Sequence, residues 1–230
     1  MIGAIKQTFR ELAWPDAVLY YISEIMLRAS GRRARLFRYC LVAQPVAESA
    51  LVPRPDTHTE IRRIFPGDPL IADFPRAPEI IAMRLSRGDI CLCATIRGRF
   101  AGFVWLVFGA YDEDEVRCRY ELSDAELSWD YDMHVEPEFR MGRCFLRLWD
   151  AANSLLRQRG VRWSMSRISA FNPGSLNSHA RLGTHTLDKV TFIVLGRLQL
   201  SFTGRLIPHF SISDKSPPTL ILQAPDKIRA

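Results

Sequence analysis

Residues 134–145, His-Val-Glu-Pro-Glu-Phe-Arg-Met-Gly-Arg-Cys-Phe, carry the chain from a strand pattern into a helix pattern. The first amides of a helix have no partner inside it. Together with the positive end of the helix dipole they make a seat for an anion such as a phosphate. Arg143 adds charge to that seat, and Gly142 lets the backbone approach a ligand closely. Cys144 opens the helix, a place where a thiol's pKa falls, although no base is paired with it in the sequence. Just upstream, Leu127, Trp129, Tyr131, Met133 and Val135 alternate with Ser128, Asp130, Asp132 and His134. A period of two puts Asp130, Asp132 and His134 on one polar strand face, where each could accept a proton.

Other polar clusters have plainer readings. Asp112 to Glu115 reads as an acidic hairpin turn in water that could also attract a cationic amine. Arg28, Arg32, Arg33, Arg35 and Arg38 read as a solvated connector, or as a patch for phosphate or an acidic partner. Arg167 stands out in an apolar strand as a side chain that could face a ligand or partner.

These residues need a scaffold, and the periodicity supplies one. A helix is expected over 16–30, started by Trp14-Pro15-Asp16. Residues 44–78, rich in Pro and charge, read as irregular covering structure with one short helix near 60–64. A short helix over 78–86 comes next, then strands over 89–96 and 99–108 joined by Arg97-Gly98. Strands are also expected over 116–122 and 126–135, then a helix over 145–159 that Gly160 closes. A strand over 161–171, a short helix opened by Asn172-Pro173-Gly174-Ser175, and strands over 189–196 and 197–202 complete the pattern. The order implies an α/β (α+β) fold with a mixed sheet flanked by helices. It divides the chain into 1–78, 79–203 and a tail, 204–230, whose structure the pattern does not place.

The 230 residues suffice for a large core, and about half are hydrophobic. A net charge of +6 suggests an anionic partner: a nucleotide cofactor, a nucleic acid, an acidic carrier protein or a membrane surface. No nucleic-acid motif is present and no aromatics interleave with the Arg run, so nucleic acid is not expected. Five cysteines without a CxxC pair argue against a structural zinc site or a disulfide framework and for a reducing cytoplasm. No metal is expected. The start of the chain lacks a leader's basic-then-apolar layout, and the most apolar run, 100–111, is far shorter than the roughly 20 residues of a membrane span.

Three features together resemble the GNAT superfamily of acyl-CoA-dependent N-acyltransferases, over roughly residues 79–202. Val135-Glu136-Pro137-Glu138-Phe139-Arg140 is similar to that family's V-x-P-x-[YF]-R approach to its pyrophosphate loop. Asn172-x-x-Ser175-x-x-Ser178-His179-x-Arg181-x-Gly183 is similar to its N-x-x-A-x-x-x-Y-x-[KR]-x-G-F helix. One helix and one strand separate the two. The resemblance implies a mostly antiparallel central sheet and transfer of an acyl group, acetyl above all, from acetyl-CoA or another acyl-CoA to a primary amine. It implies that the backbone of Met133 and Val135 pairs with the pantetheine arm, and that the backbone of Arg140, Met141, Gly142, Arg143 and Cys144 holds the pyrophosphate. Asn172 and Ser175 would lie along the arm, and His179 would be the acid that protonates the departing thiol, a task suited to an imidazole with a pKa near 6.5. Asp130, Asp132 or His134 would take the amine's proton. The acceptor would be a small-molecule or peptide amine. An acidic acyl carrier protein is the alternative donor, docking on the arginines at 28–38. A non-catalytic basic binding module is the remaining alternative.

Overall fold

A computed structural model of the protein describes residues 2–54, 56–203, 208–212 and 217–228. Its elements form a large, mostly antiparallel sheet flanked by helices, as the α/β reading predicts. The helices are α1 (Ile2–Glu11), α2 (Trp14–Ala29), α3 (Pro78–Ser86), α4 (Cys144–Gln158), α5 (Pro173–Ala180) and α6 (Pro225–Ile228). The strands are β1 (Ala34–Pro45), β2 (Thr59–Ile64), β3 (Ile90–Ile96), β4 (Arg99–Val107), β5 (Ala110–Asp112), β6 (Arg119–Leu122), β7 (Leu127–Val135), β8 (Trp163–Ser169), β9 (His185–Leu195), β10 (Leu198–Phe202), β11 (His209–Ser211) and β12 (Thr219–Leu222). The chain forms two compact units that do not follow a linear division. One comprises Met1–Gln44, Tyr111–Glu121 and Met165–Ala230, the other Pro45–Ala110 and Leu122–Ser164.

In the second unit β2, β3, β4 and β7 pair antiparallel in that order. The helix α4 packs on this sheet through Leu148, Trp149, Ala152 and Leu156, the stripe expected of a 3.6-residue period. Gly160, at φ 73°, closes it in the left-handed conformation that glycine adopts without strain. The short helix expected near 60–64 is instead the strand β2, paired from Thr59↔Ile96 to Ile64↔Cys91. Six residues are too few for local preference to decide, and a fully buried Ile64 against β3 selects the strand.

Near its end β7 departs from regular alternation. Trp105 pairs with Tyr131 but Phe103 pairs with His134, so Val104 faces two residues, Asp132 and Met133. Asp132 has φ 47°, which marks the bulge. The strands approach closely just beyond it. A Cβ added at Gly102 would lie 2.3 Å from the His134 carbonyl oxygen.

In the first unit the strand order is β11-β10-β9-β1-β8. The strand β1 runs antiparallel to β9 from Ala34↔Leu195 to Ala43↔His185. This corrects the reading of 28–38 as a connector. Buried Ala34 and Leu36 flank exposed Arg35, and Tyr39 to Ala43 is then buried throughout. Arg38 is bound rather than solvated: its Nε donates to Asp16 at 2.7 Å and its Nη1 to Thr191 Oγ1 at 2.7 Å. Lys189 donates to the other Asp16 oxygen at 2.7 Å, so this buried carboxylate is fully engaged. The helix α2 is tied to β1 by Ser23 Oγ donating to the Leu36 carbonyl at 2.9 Å. Cys40, Val42, Ile168 and Ala170 form a core cluster against which Phe171 and Leu176 pack. The tail, unplaced by the sequence, supplies β11, β12 and α6, and β12 joins β6 and β5 in a small second sheet. Residues 204–207, 213–216 and 229–230 of that tail lie outside the described residues.

Gly102→Ala should destabilise the protein by about 1–3 kcal/mol, because the atom facing the new methyl is backbone and cannot turn aside. Urea unfolding measures this, and an unchanged midpoint would contradict the close approach of β4 and β7.

Candidate active site

The bulge re-sorts the polar residues of β7. Before it, Asp130 points to the face opposite Tyr131 and takes a 2.6 Å hydrogen bond from buried Ser164 Oγ. After it, His134 emerges on the Tyr131 side, its ring stacked on Phe103 at 5.5 Å. The single polar face expected for Asp130, Asp132 and His134 is therefore not formed. A period of two holds only while the ladder stays in register.

Asp132 is held by two arginines. Arg76 Nε donates to it at 2.9 Å, and Arg76 Nη2 and Arg84 Nη1 complete the set. Arg84 is itself buried, its guanidinium over the rings of Tyr131 at 4.8 Å and Trp105 at 5.4 Å. Burial alone would raise the Asp132 pKa, but the hydrogen bonds and charges of Arg76 and Arg84 outweigh it and hold the carboxyl below its ordinary range. Such a carboxylate is a weak base, contrary to the role foreseen for Asp132. His134 differs: its Nε2 lies 3.1 Å from Glu136 Oε1, and the side chain retains 18% exposure. Neither Arg76 nor Arg84 was singled out in the sequence. The one signal for Arg84 was its place three residues after buried Ile81 on α3, a charged group on a packed face.

The turn between β7 and α4 spends several of its own amides. Phe139 N–H donates to Glu136 O at 2.9 Å, Arg140 N–H to Pro137 O at 3.4 Å and Gly142 N–H to Phe139 O at 3.0 Å. Arg140 Nε donates to the Val135 carbonyl at 2.9 Å, and Met141 is 99% exposed. Val135 pairs with Gly102, and Met133 sits in the bulge. The helix's own ladder starts with Arg147 N–H to Arg143 O at 2.9 Å, so the amides of Cys144 and Leu146 precede it and have no acceptor within α4. No acidic residue stands in the first turn of this 15-residue helix. Cys144 is buried, and burial pushes its thiol up to about 11, against the lowering expected at a helix start.

In the first unit α5 carries the second group. Asn172 caps it, its Oδ1 accepting from the Ser175 amide at 3.0 Å, so these two residues bind each other. His179 is buried, with Nδ1 3.1 Å from Gln44 Oε1. An amide oxygen there places the ring proton on Nδ1. Burial lowers the pKa to about 4, so the imidazole is neutral at pH 7 and lacks the proton expected of it as the thiol's acid.

The acidic run 112–115 is likewise not a solvated turn. Glu113 is buried and takes both Arg167 Nε and Nη2 at 2.7 Å. Glu115 accepts from Tyr39 Oη at 2.8 Å and pairs with Arg167 at 2.8 Å. Arg167 lies over the Tyr39 ring at 4.4 Å. Burial works against the Arg167 charge, and the Glu113 hydrogen bonds more than offset it. Arg167 thus finds its partner inside the chain.

The depressed pKa of His179 sets a direction for pH. As pH falls below 6.5 the unfolded chain binds a proton that the folded chain refuses until about 4. This contribution to stability is complete above 6.5 and is lost between 6.5 and 4. In urea titrations at stepped pH, His179→Gln should flatten the decline in that window by the slope of about one proton. Parallel profiles for the two proteins would refute a buried neutral imidazole.

No protein-family model matches the chain, and no curated protein does. Solved structures do match. A Drosophila protein is 16% identical over 76% of this chain and 56% of its own, with a TM-score of 0.50. A GCN5-related N-acetyltransferase from Sphaerobacter thermophilus is 17% identical over 77% and 55%, with a TM-score of 0.49. A tandem GNAT protein from the clavulanic acid biosynthesis pathway is 16% identical over 78% and 58%, with a TM-score of 0.47. The chain therefore spans little more than half the length of each. At 16% identity the likeness to the Drosophila protein is one of fold alone.

Proposed function

We propose that the protein is an N-acyltransferase that moves an acyl group, acetyl above all, from acyl-CoA to a primary amine by direct attack. The observation that carries this reading is the passage from β7 to α4. A bulge at Asp132–Met133 breaks the ladder, and a tight turn then leads to a helix start free of acidic residues. A bulge leaves backbone groups unpaired, which an extended pantetheine arm can use at Met133. The amides of Cys144 and Leu146 and the Arg143 guanidinium suit the diphosphate.

In the reaction the amine nitrogen attacks the thioester carbonyl carbon. A C–N bond forms, the C–S bond breaks, and the proton given up by the amine balances the thiol released. His134 is the group in this unit best suited to take that proton. Its imidazole is oriented by Glu136 and by the Phe103 ring, whereas Asp132 is committed to two arginines and Asp130 to Ser164.

A second reading keeps the chemistry and exchanges the donor for an acidic acyl carrier protein. Arg32, Arg33 and Arg35 favour it, being exposed and without an acidic partner among the described residues.

Calorimetric titration with acetyl-CoA should show micromolar binding. Gly142→Phe should abolish it, since a Cβ there already meets Phe139 O at 3.3 Å and a ring would displace the turn. His134→Ala should leave acetyl-CoA binding intact and slow thiol release in an amine screen about a hundredfold. Absence of binding at millimolar acetyl-CoA would overturn the coenzyme reading, and binding of an acylated carrier protein in its place would establish the second.

A further inference from the structure

On the flank of α4 that faces β2 and β3, two cavities of about 390 and 320 Å³ share the side chains of Arg54 and Arg143. The first is also lined by Arg147 and Asp56, so three guanidiniums meet one carboxylate and two positive charges are in surplus. Asp56 reaches Arg147 only at 3.6 Å. Arg54 and Arg143 have no acidic partner among the described residues. Like charges gathered on one wall repel unless an anion lies between them.

The wall is held in place. Asp150 of α4 accepts from the amides of Leu51 and Val52 at 2.6 and 3.0 Å, and Arg147 donates to the Arg54 carbonyl at 3.2 Å. Asp56 accepts from Thr59 Oγ1 at 2.6 Å, which fastens the other end of the segment to β2. The second cavity adds apolar surface from Leu51, Pro53 and Leu146. A site with surplus charge on one side and apolar surface on the other matches a ligand with a dianionic group and a flat organic part.

We propose that Arg54, Arg143 and Arg147 bind the phosphate of a nucleotide, whose base or sugar lies against Leu51, Pro53 and Leu146. A phosphate monoester, with a charge near −2 at neutral pH, matches the surplus better than a carboxylate does. Arginine forks suit its oxygens. The phosphate comes either from the coenzyme itself, as its 3′-phosphate, or from a separate phosphorylated ligand. The inference does not require the acyltransferase reading, because its probes carry no thioester.

The test is calorimetry on the intact chain with adenosine 3′,5′-bisphosphate, inorganic diphosphate, CoA and dephospho-CoA, with thermal melts confirming the fold of each variant. Arg54→Gln is the cleanest change, since that side chain is exposed and unpaired, and Arg143→Gln is the second. Each should weaken the bisphosphate about tenfold, and wild-type affinity should fall as salt rises. If Arg54→Gln penalises CoA but not dephospho-CoA, the site takes the coenzyme's 3′-phosphate. If it penalises the bisphosphate alone, the site takes a separate ligand. Bisphosphate binding that needs the arginines, without acetyl-CoA binding, would keep this site and remove the acyltransferase reading. Bisphosphate binding indifferent to both variants, or no binding of any probe at millimolar concentration, would overturn the site.

Discussion

A carboxylate between two guanidiniums fixes the end of β7, and much of the second unit is arranged around it. Asp132 adopts a left-handed backbone conformation that few residues tolerate, and Asp is among those that do. The same residue carries the charge that Arg76 and buried Arg84 need. Removing one member of such a buried set costs about 3–5 kcal/mol, because the others are left uncompensated. The bulge is thus held by ion pairs rather than by local preference. Through it His134 reaches the Phe103 side and Val135 meets Gly102.

The first unit uses buried charge in the same manner. Asp16 takes Arg38 and Lys189, and Glu113 takes Arg167 beneath the Tyr39 ring. In each case a cation on a central strand meets a carboxylate delivered by a distant segment, α2 or the 112–115 turn. These sets consume arginines that a count of net charge leaves available. Arg32, Arg33 and Arg35 after α2 and Arg54 and Arg143 beside α4 are among the arginines left exposed to solvent.

Long periodic segments were legible in the sequence. The stripe of α4, the strands β3, β4 and β7 and the Asn172 cap of α5 lie where spacing and cap chemistry put them. The strand β1 was hidden because its arginines read as a surface run, and only Asp16 and Thr191, far away in sequence, give Arg38 an inside place. The strand β2 was hidden because six residues of mixed polarity carry no decisive period.

The sequence by itself determined the order of helices and strands, the helix start that follows β7, and the set of ionisable residues near it. Those follow from spacing along the chain, and hydrophobic burial enforces them. Tertiary structure decided what each ionisable residue is able to do. One extra residue in β7 moved His134 to another face, Arg76 and Arg84 pinned Asp132 in its charged form, and burial against Gln44 left His179 neutral. A side chain's proton affinity depends on which charges and how much water surround it, and neighbours drawn from distant parts of the chain set both.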